Sequence, residues 1–122
     1  METIVKVWNE KPIRWTEDGR YGCLTDMVNA TNTDLVGILS SERFSGLIEA
    51  FYEDEKNKKV PLLKDVNGEL WGHRCAISEF SFQCKNKNFS VWVDLIIWAD
   101  ILHPEIFPVV MDDVFEKLKQ SS

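Results

Sequence analysis

The chain is 122 residues long, with 44% apolar, 11% aromatic and 28% charged residues. That composition excludes a disordered polymer and leaves one small folded domain, residues 1–122. Fourteen Lys and Arg against 20 Asp and Glu give a net charge of −6, which taken over the whole chain argues against polyanionic partners.

No apolar run approaches the roughly 18 residues needed to span a bilayer. Glu2 and Lys6 flank an N-terminal run too short for a secretory core. The expected setting is therefore soluble and cytoplasmic, with no membrane contact. Three cysteines, Cys23, Cys75 and Cys84, cannot all pair within one chain, and are expected as reduced core residues.

Thr3 to Trp8 alternates and is rich in β-branched residues, so it predicts a strand. Lys11 to Trp15 predicts a second, with Pro12 at its start or edge. After the turn Glu17-Asp18-Gly19, Arg20 to Leu24 returns as an antiparallel partner. Thr25 is the expected N-cap of a short helix over Asp26–Ala30, which the polar cluster Thr31-Asn32-Thr33 ends. Asp34 is the expected cap of a turn over Leu35–Leu39. Ser40 and Ser41 precede a longer helix, with Phe44, Leu47, Ile48 and Phe51 at helical spacing. Short helix, turn, helix is the outline of a helix-turn-helix.

Val60–Val66 and Glu69–Trp71 flank Asn67-Gly68, a pair suited to a tight primed turn, and predict a hairpin. Arg74–Phe82 predicts a helix with Cys75, Ile77 and Phe80 inward and Ala76 as a further candidate. Asn88 is the expected cap of a helix over Phe89–Leu102, apolar nearly all round and so central to the fold or buried in a partner. His103-Pro104 ends it, and Met111, Val114, Phe115 and Leu118 mark a C-terminal helix over 109–119.

Charge is unevenly spread. Residues 1–55 carry a net −6, residues 56–87 a net +4 and residues 88–122 a net −4. The central segment holds Lys56, Lys58, Lys59, Lys64, Arg74, Lys85 and Lys87. Alone, Lys56, Lys58 and Lys59 read as the solubilising charge of a loop. Screening over about 8 Å at physiological salt nevertheless lets a local patch hold phosphate on an acidic chain.

Catalytic and cofactor signatures are missing. The glycines match no phosphate-loop or dinucleotide spacing. His73, Cys75 and Cys84 fit no zinc pattern, Cys75 with His103 lacks a nucleophile signature, and Asp112 and Asp113 point to different azimuths. No enzyme activity, metal or cofactor is expected.

Two segments carry a family resemblance. Ile13-Arg14-Trp15, Asp18-Gly19 and Leu24-Thr25-Asp26-Met27-Val28-Asn29-Ala30 are similar to the opening of the KilA-N domain of large DNA viruses and phages, a relative of the fungal APSES DNA-binding domain. Gly68-Glu69-Leu70-Trp71-Gly72-His73-Arg74-Cys75-Ala76-Ile77, then Asn88-Phe89-Ser90-Val91-Trp92-Val93, resemble its later hairpin-to-helix junction and helix. Together they cover roughly residues 12–98.

The resemblance implies an α+β fold of winged-helix type, with N-terminal antiparallel strands, helix-turn-helix, hairpin wing and supporting C-terminal helices. It also implies DNA binding, often in phage regulatory proteins, with Trp15, Trp71, Phe89 and Trp92 in the core. This chain departs from the family at the second helix of the helix-turn-helix. Asp34–Asp54 holds five carboxylates against Arg43 alone, which forgoes counterion release there. The stretch Ser78-Glu79-Phe80-Ser81-Phe82 is also bulkier than the family's helix.

Two functions follow as expectations. The first is duplex DNA binding through the basic wing, with Lys56, Lys58, Lys59, Lys64, Arg74, Lys85, Lys87 and Arg43 as contacts. The second is an acidic protein-interaction module on the same fold, inhibiting a basic nucleic-acid-binding or defence protein of the host. A homodimer through Phe107–Leu118 is a further expectation.

Overall fold

The computed structural model describes residues 2–102, with side chains as far as Ile97. The expected helix over 109–119 and the Phe107–Leu118 contact lie outside the described residues.

Among the described residues the fold is α+β, an antiparallel five-stranded sheet with five α-helices. β1 (Thr3–Trp8) and β2 (Lys11–Thr16) form a hairpin. Asn9 and Glu10, both at positive φ (50° and 67°), make its turn, the backbone twist that two-residue hairpins favour. The Asp18-Gly19 turn leads to β3 (Tyr21–Cys23), as expected.

β3 then runs into α1 (Leu24–Thr31) with no loop. Cys23, not Thr25, holds the N-cap position, and without a side-chain bond. The Thr25 hydroxyl instead accepts the Leu70 N–H (2.9 Å), tying α1 to the sheet. Asn32 in the left-handed region ends α1.

α2 (Leu35–Leu39) is capped by Asp34, whose carboxylate accepts the Gly37 N–H (3.1 Å). α3 (Glu42–Glu53) is capped by Ser41 through the Phe44 N–H (3.2 Å). Both caps satisfy backbone donors at the helix starts. Phe44 and Phe51 are buried, but Ile48, expected on that stripe, is 38% exposed.

A single 3-10 turn, Glu55–Asn57, leads to β4 (Leu63–Val66), and Asn67-Gly68 turns the chain into β5 (Glu69–His73). Both turn residues have positive φ, as that dipeptide predicts. β4 is shorter than expected: the Leu62 carbonyl still accepts the His73 N–H (2.8 Å), but the Tyr52 and Tyr21 hydroxyls take the Val60 carbonyl, the Pro61 carbonyl and the Leu62 N–H. The order β1-β2-β3-β5-β4 places β5 inside the sheet, paired with both β3 and β4. The hairpin is thus no free ribbon; its exposed part is β4 and the turn.

α4 (Arg74–Gln83) starts where His73 Nδ1 accepts the Cys75 N–H (3.2 Å). Ala76, Ile77, Phe80 and Ser81 point inward, which leaves Cys75, expected inward, about 100° away and exposed. Of the other thiols, Cys23 is buried and Cys84 half-buried, and all three are free. Asn86, not Asn88, accepts the Phe89 N–H (3.1 Å), so α5 (Lys87–Leu102) begins earlier than expected.

The main core lies between one sheet face and the helices. α5 is central to it, with Phe89, Trp92, Val93 and Ile96 buried. Trp8 meets Phe89 edge-on at 5.1 Å, and Trp15 lies 6.5 Å from Trp92. A second cluster, Tyr21, Cys23 and Trp71 with Val66, occupies the other face of the sheet.

Candidate nucleic-acid interface

Two tyrosines build one end of the sheet. The Tyr52 hydroxyl, on α3, donates to the Val60 carbonyl and accepts the Leu62 N–H, both at 3.0 Å. Tyr21, on β3, donates to the Pro61 carbonyl at 2.7 Å. Asn57 Nδ2 donates to the Phe51 carbonyl (3.1 Å). Together these bonds fix the segment that carries Lys56, Lys58 and Lys59 against the start of β4. The Lys56 and Lys59 side chains are exposed, and Lys58 pairs with Glu55 at 2.8 Å on the surface.

Lys64 Nζ sits 3.8 Å above the Tyr21 ring, a cation–π contact that fixes its ammonium on the sheet's second face. Lys64 and Arg20 line the same open cleft of about 580 Å³, with Tyr21, Thr16 and the three carboxylates of Glu2, Glu17 and Asp18. The Arg74 N–H bonds the Arg20 carbonyl (2.8 Å), which places the first residue of α4 at the same end.

Carboxylates temper this cluster. Asp18 accepts from the Thr16 hydroxyl (2.7 Å) and the Arg20 N–H (3.0 Å). These two bonds hold its carboxyl below the usual range.

The remaining cations form a second group. Arg43 pairs with Glu79 (3.1 Å) and lies 4.5 Å over the exposed Phe82 ring. Lys85 and Lys87, both exposed, flank the junction of α4 and α5. Arg74 and Lys85 stand at opposite ends of α4, about 15 Å apart along its axis. The expected residues therefore fall into two sets. Lys56, Lys58, Lys59, Lys64 and Arg74 belong to segments that meet at the Tyr21 end of the sheet. Arg43, Lys85 and Lys87 belong to the side where Gln83 of α4 bonds Ser41 at the start of α3.

Comparisons with family models, with curated proteins and with solved structures find no match.

Arg20 was not among the residues expected from the sequence. Its signal was its place in the turn before a strand that pairs with the β5 end, next to Arg74. Arg14 was expected only as part of a motif, yet it anchors the second face. Its Nε and Nη2 donate to the two Asp26 oxygens (2.8 and 3.0 Å), and Nη1 donates to Glu69 (3.1 Å). The guanidinium also lies 5.6 Å over Trp71.

Cys23, Asp26 and Glu69 bring potential metal-ligand atoms within 4.8 Å of one another. The Arg14 guanidinium bonds all three side chains. Burial pushes the Cys23 thiol up, away from the thiolate a metal needs. This cluster is an ion-pair network holding β2, α1 and β5 together.

Proposed function

We propose that this chain is a duplex-DNA-binding domain of KilA-N type, of phage or viral origin and acting in the host cytoplasm, with no catalytic role. The observation that carries the proposal is that Lys64 and Arg20 share one cleft, that the Arg74 N–H bonds the Arg20 carbonyl, and that Tyr21 and Tyr52 tie the segment bearing Lys56, Lys58 and Lys59 to the same end of the sheet. Supporting it, Trp15, Trp71, Phe89 and Trp92, which carry the family resemblance, are all buried. The element order is also compatible with a winged helix, in which α1–α3 precede the β4–β5 hairpin and α4 and α5 support both.

In this reading β4 and its approach grip phosphate, while α3 stands away from the backbone. Glu42, Glu49 and Glu53 are exposed on α3, and its one cation, Arg43, is committed to Glu79. Phosphate contacts position a protein without reading bases, so sequence preference is weak. Arg43, Lys85 and Lys87 supply at most a second, smaller contact.

Fluorescence anisotropy with a labelled duplex tests the proposal. Four phosphate contacts give a log–log salt slope of about −3.6, a loss of roughly a hundredfold between 50 and 200 mM salt. The pair Lys58→Glu and Lys59→Glu abolishes binding while leaving the fold intact. Absence of salt-sensitive binding by the native chain overturns it.

The acidic exposed side of α3 favours a second reading, a module that binds a basic host protein and blocks its nucleic-acid channel. Capture of a stoichiometric basic partner without DNA, lost on Glu49→Lys with Glu53→Lys, supports that reading. Retained capture by the variant counts against it.

A further inference from the structure

β1 is an edge strand, bonded only to β2 among the described residues. Its free side can be worked out bond by bond. The Glu17 N–H donates to the Glu2 carbonyl (2.9 Å), continuing the β1–β2 register one pair beyond Thr3–Thr16. Bonded and non-bonded pairs alternate along an antiparallel ladder. The pairs Ile4–Trp15, Lys6–Ile13 and Trp8–Lys11 therefore carry the inter-strand bonds. Thr3, Val5 and Val7 turn their N–H and C=O groups away from β2.

Two partners on β2 fix this phase independently. Arg14, opposite Val5, sends its N–H to Asp26 (3.0 Å) and not to β1. Pro12, opposite Val7, has no N–H to give.

Edge strands are normally blunted by charge, proline or a bulge. The residues whose backbone groups point outward here are Thr3, Val5 and Val7, none charged and none proline. Val5 is 55% exposed and Val7 50% exposed.

We propose that β1 pairs with β1 of a second copy, antiparallel about a two-fold axis at Val5, so that one continuous sheet runs through both copies. The register selects the occupant. With Val5 opposite Val5, Thr3 faces Val7 on both sides of the axis, and every outward N–H and C=O of these three residues finds a partner, about six bonds in all. Moving the axis to Ile4 or to Lys6 leaves part of that edge unpaired, and at Lys6 it sets two like charges face to face. The strand is thus self-complementary in one register. A contact of this length falls below the roughly 1,200 Å² of a standard interface, so the dimer is weak and concentration-dependent. It is independent of the DNA reading, because Lys64 lies on β4 at the opposite edge of the sheet.

Sedimentation equilibrium of the full chain from about 10 μM to about 1 mM tests it, the range in which a contact this small associates. The expected result is a monomer–dimer equilibrium that Val5→Lys and Val5→Glu each weaken about tenfold or more, by opposing like charges across the axis. An equimolar mixture of the two variants restores association as a salt-sensitive heterodimer. In the native chain, amide exchange at Thr3, Val5 and Val7 slows as concentration rises, while Ile4 and Lys6 do not change. A native chain that stays monomeric overturns the proposal. So does a dimer unaffected by Val5→Lys, which would place the contact elsewhere, for instance at Phe107–Leu118.

Discussion

Gly22 and Gly72 face each other where β3 meets β5, and each is the point at which a neighbour presses on the sheet. A Cβ on Gly22 would lie 2.9 Å from the Met27 methyl and 3.0 Å from the Trp15 ring. One on Gly72 would lie 3.1 Å from Leu24 Cδ1. The bare backbone here is what lets α1 and Trp15 seat against the sheet. Gly22→Ala is expected to cost about 1–3 kcal/mol by overpacking, and Gly72→Ala less, because only side-chain tips must yield. Urea denaturation checks both, and a Gly22→Ala variant as stable as the native chain would contradict the packing described.

Arg14→Met tests the network on the second face. It leaves the Asp26 and Glu69 carboxylates, which share one guanidinium, without a cation. Bonds to charged groups contribute about 1.5–3 kcal/mol each, and partial exposure of Arg14 and Glu69 reduces this toward the surface value. A loss of about 2 kcal/mol is expected. Burial acts to raise the Asp26 pKa, but the bonds from Arg14 outweigh it and hold the carboxyl low. A depressed carboxyl stabilises above its unfolded pKa, and this is lost as pH falls through the folded value. The native chain therefore loses stability below the ordinary Asp range more steeply than Arg14→Met does, as acid titration followed by Trp fluorescence would show.

What the sequence revealed was decided locally. The Asp18-Gly19 and Asn67-Gly68 turns depend on adjacent residues, as do the Asp34 and Ser41 caps and the alternation of β1. The misplaced roles depend on long-range partners or on neighbouring choices. Thr25 looks like a cap, yet its hydroxyl serves Leu70, 45 residues away. Arg14 is 55 residues from Glu69, and no periodicity announces such a pair. Cys75 and Asn88 each lost a role to a residue one or two positions away, an offset that a helical pattern does not resolve. Of the basic residues, the sequence showed the cluster in order along the chain, but not that α4 separates Arg74 from Lys85.

Tyr52→Phe separates the clamp from the core. The ring stays in place, but the Leu62 N–H and the Val60 carbonyl lose their partner. The expected cost is about 1–3 kcal/mol, the value of two net hydrogen bonds. The segment holding Lys56, Lys58 and Lys59 then opens locally several-fold more often. Limited trypsin digestion reads this directly, with cleavage after these lysines accelerating while the rest of the chain resists. Unchanged cleavage would mean that the Tyr21–Pro61 and Asn57–Phe51 bonds hold the segment without Tyr52.

His73 sets an acid limit on stability. Its Nδ1 accepts the Cys75 N–H (3.2 Å), a bond that only an unprotonated Nδ1 can make. Its ring packs edge-on against Tyr21 at 5.5 Å and meets Phe51 at 5.1 Å. Burial lowers its pKa below the ordinary histidine value, and the charges of Arg74 and Arg20 add to the effect. The unfolded chain therefore takes up a proton at a higher pH than the folded chain does. Stability conferred by neutral His73 is full above about pH 6.5, the unfolded value, and falls as pH drops from there toward the lowered folded value. Urea midpoints at pH 7.5 and pH 5 should differ in that direction. In His73→Asn, which keeps an acceptor at the cap and cannot titrate, the difference should shrink. A variant with the same pH dependence as the native chain would move the acid sensitivity to other groups and remove His73 from the account.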